Sequence, residues 1–558
     1  MLPLPLWILA LLATVTCVSC GTVWPQPASQ APTKAHTQID ASAFRFFSRD
    51  TPSLILSEAF DRYDDLIFAR ASVSEGEGPE RTSDLSLLEL EVILRSEAEA
   101  LTYETSEAYT LEVAAPKATV TADTVFGALR GLETFSQLVD AHQAPGGEVS
   151  YSVPVTKIVD APRFQHRGLM LDTSRHFLPV RTLLRTLDAM AWVKLNVFHW
   201  HIVDDNSFPM QSSTFPALSR LGAWSSKHIY TKADVARVVE FGRRRGIRVM
   251  VEIDTPGHVA SWGKSHPEVL TECFDKSGAP AGYGPLNPSR NSTYAFLSAL
   301  FSEVAEAFPD QYMHVGGDEV PFECWASNPE VRAWMQAEGI ETYEKVEEAF
   351  ELKLLEITAA VGKSYVCWQE VFDNGVQLLP DTVVHAWKGW PIPWEAELAN
   401  ITRAGYRTIL STPWYLNYIS YAEDWKKYYL VEPQNFTGTA AMKGLVMGGE
   451  VCMWGEWVDS TNLHPRTWPR AAAPAERLWS REDVRDVKSA SKRINALRCL
   501  MMARGLPAEP ITGPGFCPSD VQDWGDAAGR AAGLRGQAHA ARRPLVTGGV
   551  GHRGGAAS

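Results

Sequence analysis

Residues 247–258 read IRVMVEIDTPGH. An apolar run rich in β-branched residues closes abruptly in Asp254, a proline, a glycine and His258, as a buried parallel strand does where it opens onto a functional mouth. The same shape recurs outward in both directions: RGLMLDTS (167–174), KLNVFHWHIVDD (194–205), QYMHVGGDE (311–319), SYVCWQE (364–370), TVVHAW (382–387), RTILSTPWY (407–415) and LVMGGEVCMWGE (445–456). Between them lie helix-period stretches such as RTLLRTLDAMAWV (181–193), TKADVARVVEFGRRRG (231–246) and the run from Tyr343 to Val361. Short apolar runs alternating with amphipathic helices call for βα units and a parallel sheet. Eight in succession predict an α/β fold, a (β/α)8 TIM barrel, over residues 163–517.

Upstream, short strands and helices alternate from about Ala43 to Pro162. LELEVILRS and AYTLEV read as strands, and VTADTVFGALRGLETFSQLV (120–139) as a capped amphipathic helix. Residues 21–162 therefore predict a small α+β accessory domain with no catalytic constellation. Its first part, Thr22 to about Gln38, is rich in Pro, Ala and Thr and reads as poorly ordered. Residues 1–20, MLPLPLWILALLATVTCVSC, read as a secretory signal peptide that lacks the usual basic residue and is too short to span a membrane. Residues 518–558 are rich in Gly, Ala and Arg and cannot build a core, so they read as a low-complexity tail.

The net charge of −14 on 558 residues argues against a nucleic-acid partner and suits an acidic compartment. Secretion leaves Cys273, Cys324, Cys367, Cys452, Cys499 and Cys517 in an oxidising environment, where some must pair. Cys499 with Cys517 closes a short loop and Cys273 with Cys324 a longer one, while Cys367 and Cys452 sit in apolar strands and read as buried free thiols. Asn291, Asn400 and Asn435 head glycosylation sequons.

The strand ends carry the chemistry: Asp172 and Arg175, Asp204 and Asp205, Asp254 and His258, Asp318 and Glu319, Trp368 and Glu370, Trp387, Trp414 and Tyr415, Trp454 and Glu456. Carboxylates and indoles gathered at one mouth suit sugar chemistry. In HVGGDEV (314–320) a regular strand would send Asp318 and Glu319 to opposite faces. The two glycines permit a bend that lets both face one ligand. Repulsion between the neighbours should raise one pKa and keep a proton available. A second carboxylate from another strand, Glu370 or Glu456, could partner Glu319 in a direct-displacement glycosidase. A metal-dependent hydrolase is the rival, since His199 and His201 share one strand face, Asp204 and Asp205 follow, and His385 could add a third nitrogen. A sugar-binding protein without turnover is the non-enzymatic alternative.

The stretches RGLMLDTSRH, KLNVFHWHIVDDNSFP, IRVMVEIDTPGH, HVGGDEV, WQEVFDN, STPWYLN, GGEVCMWGEWVD and PAERLWS resemble the β-N-acetylhexosaminidases of glycoside hydrolase family 20, of the animal lysosomal α/β-subunit type. The resemblance runs from about Leu88 to Cys517. It implies removal of terminal β-linked GlcNAc or GalNAc by substrate-assisted catalysis, an exception to the two-carboxylate scheme, with neither cofactor nor metal. It makes Glu319 the general acid/base and Asp318 the residue that orients the 2-acetamido group. Arg175 should grip ring hydroxyls, Trp368, Trp387 and Trp454 should wall the sugar, and Tyr415 should hydrogen-bond the acetamido oxygen. Glu456 should bind hydroxyls away from the scissile bond, with Asp204 and His258 as supports. It further implies a lysosomal homo- or heterodimer with a related subunit and a lipid-presenting activator protein. Asn417 is α-like, but Tyr418 stands where the α-type has an arginine that binds anionic substrates. The N-terminal domain also lacks the cysteines usual there.

Overall fold

The computed structural model describes residues 23–31, 34–49, 53–69, 73–75, 78, 85–144, 149–418 and 420–521. The signal peptide read at 1–20, and residues 522–558 of the tail, lie outside the described residues.

Eight parallel strands close into a barrel in chain order: β1 (His166–Asp172), β2 (Val197–Val203), β3 (Arg248–Ile253), β4 (Tyr312–His314), β5 (Ser364–Trp368), β6 (Val383–Ala386), β7 (Arg407–Leu410) and β8 (Val446–Met453). The ring closes where Gly168 of β1 lies opposite Glu450 of β8. Each strand coincides with one of the eight apolar runs. Amphipathic helices lie between them, among them Val180–Trp192, Lys232–Arg243 and Tyr343–Ala360. Lys232–Arg243 begins in a capping box, with the Thr231 side chain accepting from Asp234 N–H and the Asp234 carboxylate answering to the Thr231 backbone.

Inward-facing residues alternate along each strand, so the barrel fills in layers. The lower layer is an apolar plug of Val197, Met250, Tyr312, Val366, Val383, Ile409 and Met447. Two residues further along the strands the layer changes character: His199, Glu252, His314, Trp368 and His385 are buried there, with Glu450 from β8. The mouth lies above this polar layer.

In the N-terminal region a six-stranded sheet runs Ser29–Gln30, Thr156–Asp160, Tyr109–Val113, Lys117–Ala122, Glu89–Leu94, Arg45–Phe47. A four-stranded sheet runs His36–Ile39, Val149–Pro154, Asp140–Gln143, Val73–Glu75. The segment expected to be poorly ordered is thus ordered over residues 23–31 and 34–38. Ser29 and Gln30 pair with Val159 and Ile158, and His36–Ile39 pairs with Tyr151–Pro154. Trp24 is fully buried and its indole donates to the Ala472 carbonyl at 2.9 Å, which anchors the segment on the barrel. Composition concealed this because one buried indole and two short edge pairings outweigh a Pro-rich average. Buried ions tie this region to the barrel: Glu107, paired within the region with Arg130 at 2.7 Å, meets Arg167 at 2.6 Å, and Lys194 meets Asp160 at 3.0 Å.

Candidate active site

Beyond β4 the chain cannot stay extended, because Gly316 and Gly317 take φ of +78° and +94°. A Cβ at Gly316 would lie 1.7 Å from Asp254 Oδ1, so only glycine fits. The two carboxylates diverge after this bend. Asp318 is buried, whereas Glu319, itself at φ +52°, keeps 60% of its side chain exposed at the mouth. His258 stands between them, with Nε2 3.6 Å from Asp318 Oδ2 and 3.7 Å from Glu319 Oε2. Its Nδ1 faces Asp204 Oδ1 at 3.4 Å.

Burial pushes the Asp318 carboxyl up to about 7, with Glu370 and Glu252 adding to the rise and His258 opposing it. The repulsion expected between Asp318 and Glu319 is not the cause: the raised group is Asp318, and desolvation dominates. Asp254 is held well above the usual carboxylate range by burial and by Asp318. Burial alone would lower His258, but Asp254, Asp318 and Asp204 hold it up to about 11. Asp254, His258 and Asp318 therefore share their protons as a unit.

On the opposite side Arg175 Nη1 lies 3.2 Å from Asp172 Oδ2 and 2.7 Å from Asp204 Oδ2, with its guanidinium 5.0 Å from the Trp454 ring centre. Glu456 is exposed near it and adds to the negative field that keeps Arg175 charged. Trp368, Trp387, Tyr415 and Trp454 form an aromatic wall. Trp387 stacks on Tyr415 at 6.2 Å, and Trp368 meets Trp387 at 6.4 Å and Trp454 at 6.0 Å. The Tyr415 hydroxyl, Asn417 Oδ1 and Asp318 Oδ1 are buried and have no hydrogen-bond partner among the described residues. Buried polar atoms of this kind are costly unless a ligand completes them.

Glu370, read as a possible nucleophile, accepts from the Trp387 indole at 2.6 Å and pairs with the Lys388 ammonium at 2.7 Å. Both oxygens are engaged in holding the wall. His199 has Nδ1 2.5 Å from Glu450 and Nε2 2.7 Å from Glu252, and it lies in one buried cluster with His314 and His385. His201 lies 2.7 Å from both Asp204 and Glu252. Tyr418 is exposed and stacks on Tyr415 at 5.8 Å. Cys273–Cys324 ties the hairpin Leu270–Phe274/Pro280–Leu286 to the helix Phe322–Ser327 that follows Glu319, and Cys499–Cys517 pins the last long helix. Cys367 and Cys452 are free and buried. Asn291 and Asn435 are exposed, and Asn400 is half-buried. Sequence reasoning passed over Glu252 and Glu450. Each is a lone carboxylate in the middle of an otherwise apolar strand, and that anomaly was the signal available.

A closed parallel barrel whose mouth gathers an exposed and a buried carboxylate, an ion-paired arginine and a wall of indoles defines a barrel glycosidase. The chain belongs to glycosyl hydrolase family 20, whose catalytic domain matches residues 164–482; a domain described as beta-acetyl hexosaminidase like matches residues 23–138. The chain is 45% identical over 526 residues to beta-hexosaminidase subunit alpha of Rattus norvegicus, covering 93% of this chain and 99% of that one. It is 49% identical over 467 residues to beta-hexosaminidase subunit beta of Homo sapiens, covering 83% of each. The X-ray structure of the Flavobacterium johnsoniae chitobiase matches with a TM-score of 0.76 at 31% identity, over 87% of this chain and 73% of that one.

Proposed function

We propose that the chain hydrolyses terminal β-linked N-acetylglucosamine or N-acetylgalactosamine from glycoconjugates, with retention, using the substrate's own 2-acetamido oxygen as nucleophile. The observation that carries this reading is the pairing of two buried, unpartnered groups, Asp318 Oδ1 and the Tyr415 hydroxyl, in one indole-walled pocket. An acetamido group supplies a donor N–H for the first and an acceptor oxygen for the second. Kinship with subunits named as hexosaminidases supports the same substrate class.

The acetamido oxygen attacks the anomeric carbon as the glycosidic bond breaks, and Glu319 gives its proton to the departing oxygen. Positive charge then spreads over the acetamido group. Asp318 is neutral in acid while the pocket is empty, and that charge favours its ionised form, so its stabilisation is strongest where the charge develops. The Glu319 carboxylate next removes a proton from water, which opens the cyclic intermediate with a second inversion. Arg175, whose fork suits paired hydroxyls, and Glu456 hold the sugar ring. Asp204 and His258 brace Arg175 and the two acids.

Relatives named as alpha and beta subunits support assembly as a homo- or heterodimer; a lipid-presenting activator for membrane-borne substrates is part of the same proposal. Lysosomal delivery through the secretory pathway accords with the two disulfides. No helix among the described residues is long and apolar enough to cross a membrane. Tyr418 favours neutral over sulfated or sialylated substrates.

Glu319→Gln tests the assignment through its leaving-group dependence. Turnover of a phenyl β-N-acetylglucosaminide should fall by about 10²–10⁴-fold, and that of the 2,4-dinitrophenyl analogue far less, because a good leaving group needs no proton. Equal losses on both substrates contradict the role.

A further inference from the structure

The polar layer beneath the pocket joins two groups of the mouth, Trp368 and Arg175, through one carboxylate. Glu252 Oε2 lies 2.7 Å from His201 Nδ1 and 2.7 Å from His199 Nε2. Glu252 Oε1 accepts the indole N–H of Trp368 at 2.9 Å. His201 continues through Nε2 to Asp204 Oδ2 at 2.7 Å, and the same oxygen lies 2.7 Å from Arg175 Nη1. On its other side His199 reaches Glu450 Oε1 through Nδ1 at 2.5 Å. All of these groups except Arg175 are buried.

From contact to contact the signs alternate: Glu450 negative, His199 positive, Glu252 negative, His201 positive, Asp204 negative, Arg175 positive. The three carboxylates are held below their usual range and the two imidazoles above theirs, each against a desolvation that pulls the other way. Such a column is costly to assemble in a low-dielectric interior, and removing one member leaves its partners unpaired. Packing alone does not require it, since the layer directly beneath is filled by apolar side chains.

We infer that Glu252 is a positioning residue for the sugar pocket, fixing the indole of Trp368 directly and the guanidinium of Arg175 through His201 and Asp204. It touches no substrate. One buried carboxylate thereby sets the spacing between the wall beside the acetamido group and the grip on the ring hydroxyls. The inference rests on the pocket assignments proposed above for Trp368 and Arg175.

The test is steady-state kinetics on 4-nitrophenyl N-acetyl-β-glucosaminide with Glu252→Gln, Trp368→Phe and the double variant, in the full-length enzyme. Gln keeps the volume and removes the charge, and Phe keeps a ring and removes the indole donor. Glu252→Gln should raise KM at least about tenfold as well as lowering kcat, since both ground state and transition state lose their fit. A merely structural role would shrink the folded, active fraction and lower kcat at unchanged KM. Adding Trp368→Phe should then cost little more than Glu252→Gln alone, because the bond it cuts is already compromised. Unchanged KM, or fully additive losses, would overturn the inference. Should Glu252→Gln fail to fold, Trp368→Phe alone decides: the inference expects KM to rise at least about threefold, and unchanged KM refutes it. Failure of the unmodified enzyme to cleave this substrate would sink the functional proposal instead, so the two outcomes separate.

Discussion

Glu347 offers a sharp test of how burial shapes this protein's response to pH. It lies on the helix Tyr343–Ala360, fully buried, with Oε2 accepting from Asn374 Nδ2 at 2.8 Å and Oε1 without a hydrogen-bond partner among the described residues. Burial, aided by the charge of Glu370, pushes its carboxyl up to about 8. A folded-state value above the unfolded one means the neutral acid is the form that suits the fold. The stability it supports is complete below the unfolded pKa, near 4.5, and drains away as pH rises toward 8. Between acid and pH 7 the linkage amounts to about 3 kcal/mol. Glu347→Gln keeps the shape and the acceptor for Asn374 but cannot ionise. Thermal unfolding of both proteins across pH 4.5–7.5 should show the wild type losing stability that the variant retains, a gap of a few degrees at the neutral end. Near pH 4.5 the two should differ by no more than about 1 kcal/mol. Parallel curves across the whole range would show that Glu347 is not held neutral by burial.

Gly316→Ala forces a Cβ into Asp254 at a positive φ, at a combined cost of about 2–5 kcal/mol, and should lower both melting temperature and kcat; a variant with native kcat would show that the bend does not place Asp318. Asp318→Asn should reduce turnover and weaken competitive inhibitors that carry an acetamido group more than those that lack it, and equal weakening in inhibition assays would remove its orienting role.

The barrel was legible because eight apolar runs, each ending in polar or aromatic residues, repeat a signal that survives errors at any one of them. The bend at Gly316–Gly317 was legible for a related reason, since adjacent carboxylates on a strand demand a break before they can share a ligand. Less visible was which acid would have its pKa raised. Asp318 and Glu319 are neighbours in sequence, yet one is buried and the other exposed, and that difference arises only from the φ values after β4. Glu252 and Glu450 were passed over because a carboxylate inside a strand gains meaning only when its partners, His199 and His201 on a different strand, close around it. The segment before Gln38 misled through its composition, since a buried Trp24 and two short edge pairings supply an anchorage that averages hide.

The proposed mechanism takes its nucleophile from the substrate. Matched aryl β-glycosides, one with the 2-acetamido group and one with a 2-hydroxyl, assayed at mildly acidic pH, test it directly. Substrate assistance predicts hydrolysis of the acetamido sugar alone. Comparable cleavage of both would place the nucleophile on a protein carboxylate and contradict the roles given to Asp318 and Tyr415.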